Sequence, residues 1–63
     1  MTDETKHALE TAFNDYHAAT DADWRAFMAD KSPEPQREER RIARIWATRT
    51  AFLAKINDIA VQL

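Results

Sequence analysis

The apolar positions of the chain repeat at alternating steps of three and four residues on both sides of one interruption. In the first half the repeating positions are Leu9, Phe13, Tyr16, Thr20, Asp23 and Phe27. In the second half they are Ile42, Ile45, Arg49, Phe52, Ile56, Ile59 and Leu63. Such spacing places each set along one face of an α-helix. The pattern therefore predicts two long helices and an all-α fold.

The interruption lies where the sequence holds both of its prolines. Ser32 is a suitable N-cap, Pro33 suits the first helical position, and Glu34 carries the charge favoured at a helix N-terminus. At the other end of the chain, Thr2 or Asp3 is expected to cap the first helix. The predicted elements are helix 1 over residues 3–30, a turn over residues 30–34, and helix 2 over residues 33–62.

One segment of helix 1 leaves two alternatives open. Residues 20–23 resemble a capping box, with Asp23 where Glu or Gln is usual. A restart of the helix there would turn Trp24 toward the core. In the other alternative helix 1 continues, and Asp21 and Asp23 are solvated.

We call the repeating positions of each helix its seam. The two seams face each other if the helices run antiparallel. With the turn centred near Ser32, residues at the same height have numbers that add to about 65. The predicted facing pairs are Leu9 with Ile56, Phe13 with Phe52, Tyr16 with Arg49, and Thr20 with Ile45. Because seam positions meet seam positions, the prediction is an antiparallel two-helix hairpin that forms a single domain over residues 1–63.

The small size of the chain predicts that it needs a partner. It has 63 residues, no Cys and no Gly. Ordering costs about 1.5 kcal/mol per residue, which two packed helices alone rarely offset. The simplest partner is another copy of the chain. Self-association with closed symmetry would give a dimeric four-helix bundle or a higher helical oligomer, and a dimer is favoured. A different helical protein is the other kind of partner.

Small side chains and two tryptophans beside the seams predict where a partner packs. Alanine lets helix axes approach closely, and tryptophan is enriched at binding hot spots. In the alternative, alanine serves only as the best helix former, and both tryptophans pack within the hairpin and dimer. The predicted interface residues are Ala19, Trp24, Ala26, Trp46, Ala47, Ala51 and Ala54.

Arg49 is the one charged residue on the apolar seam of helix 2. A charge in such a position must be paired or hydrogen-bonded, because an isolated buried charge is very costly. We predict that Arg49 and Tyr16 form a polar layer that fixes the register of the helices, as single polar residues do in coiled coils. In the alternative, Arg49 meets the carboxylate of a ligand or partner.

A basic cluster near the start of helix 2 consists of Arg37, Arg40, Arg41 and Arg44. Such a stripe could contact the phosphates of a nucleic acid. The interleaved residues Glu34, Glu38 and Glu39 favour a solvated face of local ion pairs instead. No helix-turn-helix, zinc-finger or RNA-binding motif accompanies the cluster.

Catalysis and cofactor binding have little basis in the sequence. Glu4 and His7 have the spacing of a ligand pair in ferritin-like metal sites, but helix 2 contains no His to complete one. The single serine is expected to serve as a cap, and no nucleophile lies at a suggestive spacing from a base. We therefore predict that the protein is not an enzyme and binds no cofactor or metal.

These observations together predict a function by contact with other macromolecules. No apolar run approaches the roughly 20 residues that cross a bilayer, and the chain does not open with a basic leader, so a cytoplasmic protein is expected. The predicted function is a small adaptor or regulatory module, of the kind found among bacterial or phage accessory proteins, that acts by self-association and helix-face contacts. The alternative is a nucleic-acid-binding regulator on a dimeric helical bundle.

Overall fold

A computed structural model describes residues 2–63 as two helices that pack against each other along their length. Helix α1 spans Asp3–Ala29, and helix α2 spans Gln36–Val61. The Cα atoms extend over 48 × 17 × 8 Å, which are the dimensions of two helices lying side by side in one layer. The predicted all-α hairpin is confirmed.

The start of α1 is fixed by a side-chain cap. The Thr2 hydroxyl accepts a hydrogen bond from the backbone N–H of Thr5 at 3.1 Å, and the Thr2 carbonyl accepts one from Lys6 at 3.0 Å. Asp3 and Glu4 follow in the first turn, where the helix dipole favours negative charge. The cap is therefore Thr2, one of the two residues predicted for it.

Helix α1 continues without a break through the segment that resembles a capping box. The Thr20 hydroxyl donates a hydrogen bond to the Tyr16 carbonyl, four residues back, at 2.9 Å. This bond satisfies the hydroxyl within the helix, so Thr20 does not cap a new one. Of the two alternatives for this segment, the structure has the continuous helix.

The start of α2 differs from the prediction. Ser32 does not cap this helix, which begins at Gln36 after Pro35, a residue that makes no side-chain capping bond. The Ser32 N–H instead donates to Asp30 Oδ1 at 2.9 Å. Proline disfavours the helical conformation in the residue before it, and Glu34 precedes Pro35, so a helix cannot readily run through this position.

Arg37 closes the C-terminal end of α1 from the neighbouring helix. Its Nη2 donates to the carbonyl of Phe27 at 3.1 Å, and its Nε donates to the carbonyl of Asp30 at 3.2 Å. The guanidinium carbon also lies 3.8 Å from the centre of the Phe27 ring. The last turn of α1 holds no basic residue, so the favourable positive charge comes from α2.

Little of the hairpin is withdrawn from solvent. Among residues 2–63 only Ala12, 2% exposed, and Ile59, 6% exposed, are buried. The radius of gyration is 14.8 Å, whereas a compact domain of this length would have about 11 Å. Within the described part of the chain, neither helix has the length and apolar character needed to cross a membrane.

Candidate protein-interaction surface

Three aromatic rings form the floor of a groove between the helices. The Phe13 and Phe52 ring centres are 5.3 Å apart, and those of Tyr16 and Phe52 are 4.6 Å apart. Phe13 and Tyr16 lie three residues apart on α1, so both can reach one ring on α2. The predicted facing of Phe13 and Phe52 is present in the structure.

Further apolar side chains form the walls of the groove. Trp24 and Phe27 stand on the α1 side, with ring centres 5.7 Å apart, and Ile45 and Leu53 stand on the α2 side. The open volume between these walls is about 800 Å³. This volume lies within the range of ligand pockets and is sufficient to receive side chains from another helix.

Large apolar side chains along and beside this groove remain strongly exposed. Each has between 42% and 60% of its surface accessible to solvent. We call this set the aromatic face. It consists of Phe13, Trp24, Met28, Ile42, Ile45, Trp46 and Leu53. Monomeric soluble proteins rarely expose apolar patches of this kind, and such patches mark interaction sites.

Polar groups lie at the middle of the groove. The Thr48 hydroxyl donates a hydrogen bond to Asp23 Oδ2 at 2.5 Å, which joins the two helices. His17 and Arg49 also line the groove, and both are exposed. Among residues 2–63 neither Asp23 nor Arg49 takes part in an ion pair.

The two residues of the predicted polar layer both line the groove. Tyr16 is half-buried against Phe52, whereas Arg49 is exposed, with its guanidinium carbon 5.5 Å from the centre of the Trp46 ring. At this height the two helices are joined by the hydrogen bond from Thr48 to Asp23. A register role for Arg49 stays a prediction about the assembled protein.

The opposite side of the hairpin is lined by small residues. Tyr16, Thr48 and Phe52 border both depressions of the molecule, so the second depression lies on the other side of this layer. It has a volume of about 260 Å³ and is bordered by Ala12, Asp15, Ala19, Ala51 and Lys55. We call the alanine-lined side, with Ala12, Ala19 and Ala51, the alanine face.

The residues predicted to form one partner interface fall on different parts of the surface. Trp24 lines the groove, and Trp46 is exposed beside it. Ala19 and Ala51 border the opposite depression, and Ala26 is half-buried. Ala47 and Ala54 are exposed on α2. The two tryptophans of the predicted interface therefore lie at the groove, whereas its alanines lie elsewhere on the surface.

The arginine cluster is partly used within the hairpin. Arg37 caps α1, and Arg41 donates to both carboxylate oxygens of Glu38, with its Nη2 2.7 Å from Oε1. This bond lowers the pKa of Glu38 and raises the pKa of Arg41. Arg40 is exposed. Arg44 is half-buried, and its Nε and Nη2 lack hydrogen-bond partners in the described structure.

Sequence reasoning missed two polar contacts that hold the helices together. One joins Phe27 to Arg37, and the other joins Asp23 to Thr48. The residue numbers of the first pair add to 64, so the antiparallel pairing rule could have found it. Thr48 lies next to the predicted seam of helix 2 and is not one of its members. The spacing of the apolar positions therefore could not predict its contact with Asp23.

The described chain offers no assembled centre for metal chemistry, because residues 2–63 contain no group of three His, Asp or Glu side chains placed to hold an ion. No protein-family model, curated protein or solved structure matches the sequence or the fold of this chain. The function is therefore argued from the shape and chemistry of the two faces.

Proposed function

We propose that this protein is a small non-enzymatic interaction module, an adaptor or regulator that acts by docking its aromatic face onto a helical protein surface. The partner in the simplest case is another copy of the chain, and the product is a dimeric four-helix bundle. The observation that carries the proposal is the aromatic face itself. Seven large apolar side chains in 62 described residues keep 42–60% of their surface exposed.

The shape of the groove favours a helix as the bound element. The groove runs between two long helices, and its floor and walls carry rings spaced at helical intervals. An amphipathic helix presents apolar anchors at the same intervals and fills such a groove with its ridge of side chains. Trp24 and Trp46 supply the large anchors that are typical of binding hot spots.

A nucleic-acid-binding role for the arginine cluster has less support. Arg37 and Arg41 are held by groups of the hairpin itself, which leaves Arg40 and Arg44 for phosphates. Glu38 and Glu39 stand in the same turn and oppose the approach of an anion. The cluster is thus better explained as the device that closes the loop end of the hairpin.

The test is sedimentation equilibrium of the full chain, combined with circular dichroism over a dilution series. We expect a helical dimer whose helicity falls on dilution, because association completes the fold. A helical monomer whose spectrum does not change with concentration would contradict the proposal.

A salt series separates the two functions. Self-association through aromatic side chains should persist between 50 mM and 500 mM NaCl, since little of it depends on exposed charge. Binding to a DNA duplex or an RNA hairpin that weakens steeply over the same series would instead support phosphate contacts.

A further inference from the structure

We propose that the aromatic face is covered by the aromatic face of a second copy, with the loops of both copies at the same end of the bundle. In this arrangement α1 of each copy packs against α2 of the other. The inference rests on the proposed function, because it requires that the aromatic face binds a helical surface. It adds the orientation of the two copies that the side chains favour.

The exposed area of the hairpin fits a second copy. A folded monomer of this mass, 7.3 kDa, would expose about 4,200 Å². The hairpin exposes 5113 Å². The excess of roughly 900 Å² is close to the approximately 800 Å² that each partner contributes to a stable interface of standard size. One further two-helix layer of the same size supplies this cover.

Contacts within the hairpin show which residues of the two helices lie at the same height. Phe13 and Tyr16 both contact Phe52, and Asp23 contacts Thr48. The residue numbers of these pairs add to between 65 and 71. Residue 20 of α1 therefore lies close to the level of residue 48 of α2.

This level is the middle of the aromatic face. On α1 the groove extends from Phe13 to Phe27, and Thr20 lies halfway between them. On α2 it extends from Arg41 to Leu53 and passes Thr48. To cover the whole groove, a two-fold axis must either cross the helices near this level or run parallel to them.

Two arrangements satisfy this condition, and one of them is opposed by charge. If the loops point to opposite ends, α2 packs against α2 of the other copy around Thr48. Arg49 of each copy then lies within one helical turn of Arg49 of the other. These facing like charges weaken this arrangement.

If the loops lie at the same end, the charges match. Arg49 of one copy then faces α1 of the other, at a height about one turn from Asp23, which a long arginine side chain can span. Asp23 and Arg49 have no ion-pair partner among residues 2–63, so each is available.

The test measures distances between spin labels on the assembled protein. The chain has no cysteine, so Lys31→Cys carries the single label, in the exposed loop. For loops at the same end we expect a distance of roughly 20 Å, about two helix diameters. For loops at opposite ends the distance would approach the 48 Å length of the hairpin and would overturn the inference.

A second labelled variant provides the reciprocal control. Gln62→Cys places the label at the other end of the hairpin, at an exposed residue. Measured alone, this variant should also give a distance of roughly 20 Å if the proposed orientation holds, and one approaching 48 Å if it does not. Sedimentation of the same samples separates the two failures. A monomer would contradict the proposed function. A dimer whose labels are far apart would contradict only the proposed orientation.

Discussion

The two faces of the hairpin are built from side chains of different size, and they are covered to different degrees. On the alanine face Ala12 is hidden by the neighbouring helix alone, at 2% exposure, while Ala19 is half-buried and Ala51 is exposed. On the aromatic face Trp24 and Trp46 stand beyond the reach of the neighbouring helix and stay more than half exposed. One helix can cover alanine, but large rings need a second layer.

A charge placed on the aromatic face should have the largest effect on self-association, because it tests whether this face differs from the rest of the surface. Ile45→Lys should raise the protein concentration at which the chain becomes helical, because Ile45 is 42% exposed in the single hairpin and the change acts on association. It should weaken self-association at least 100-fold, since an unpaired charge would be buried in the interface. Sedimentation equilibrium measures the change.

Thr50→Lys is the matched control for this charge, because Thr50 is exposed on the same helix and borders neither depression. This variant should associate like the parent chain. If both variants lost association equally, the aromatic face would have no special role.

Overfilling the alanine face should act on the hairpin itself. Ala12→Leu inserts a larger side chain where the helices meet, and we expect it to destabilise the fold by about 1–3 kcal/mol. Ala18→Leu is the control, because Ala18 is exposed on the same helix and leucine forms helices nearly as well as alanine. Chemical denaturation at a fixed protein concentration compares them.

Removing the charge of Arg49 should allow more than one orientation of the two copies while the dimer still forms. Arg49→Leu abolishes the repulsion that disfavours loops at opposite ends, so both arrangements become accessible. In the Lys31→Cys background we expect two label distances in place of one, with helicity unchanged. A single well-defined distance for this variant would contradict the role of Arg49 in specifying the assembly.

The smallest expected effect concerns acid pH. Hydrogen bonds from Ser32 lower the pKa of Asp30, and the bond from Arg41 lowers the pKa of Glu38. A lowered carboxyl pKa stabilises the folded state above the unfolded-state pKa of roughly 4, and this contribution is lost as pH falls through the folded-state value.

The corresponding experiment is a thermal melt series from pH 6 to pH 2. The melting temperature of the parent chain should fall more steeply at the acid end than that of an Asp30→Asn, Glu38→Gln double variant. Parallel curves would show that these two loop-end carboxylates do not contribute.

The sequence predicted the hairpin because its strongest signals are local. Apolar spacing placed Phe13 opposite Phe52, and a hydroxyl next to an acidic first turn identified Thr2 as a cap. The start of α2 was missed because the favourable capping residues near Ser32 were outweighed by the restriction that Pro35 imposes on its predecessor.

The environment of Arg49 was less predictable. Adjacent residues on an α-helix point about 100° apart, so Thr48, which faces α1, leaves Arg49 at the exposed side of α2. The molecule that covers the aromatic face is not part of this chain. The spacing of apolar residues could therefore identify the exposed surface, but it could not identify what binds there.

The bond from Arg37 to the end of α1 has a consequence for how the chain folds. Arg37 and Phe27 are only ten residues apart, so closing this contact costs little loop entropy and needs only one turn of each helix. We expect pairing to begin at the loop and to travel toward the chain ends, where Ile59 is buried last. The free ends would then open first when the assembled protein is diluted, while the loop end stays closed.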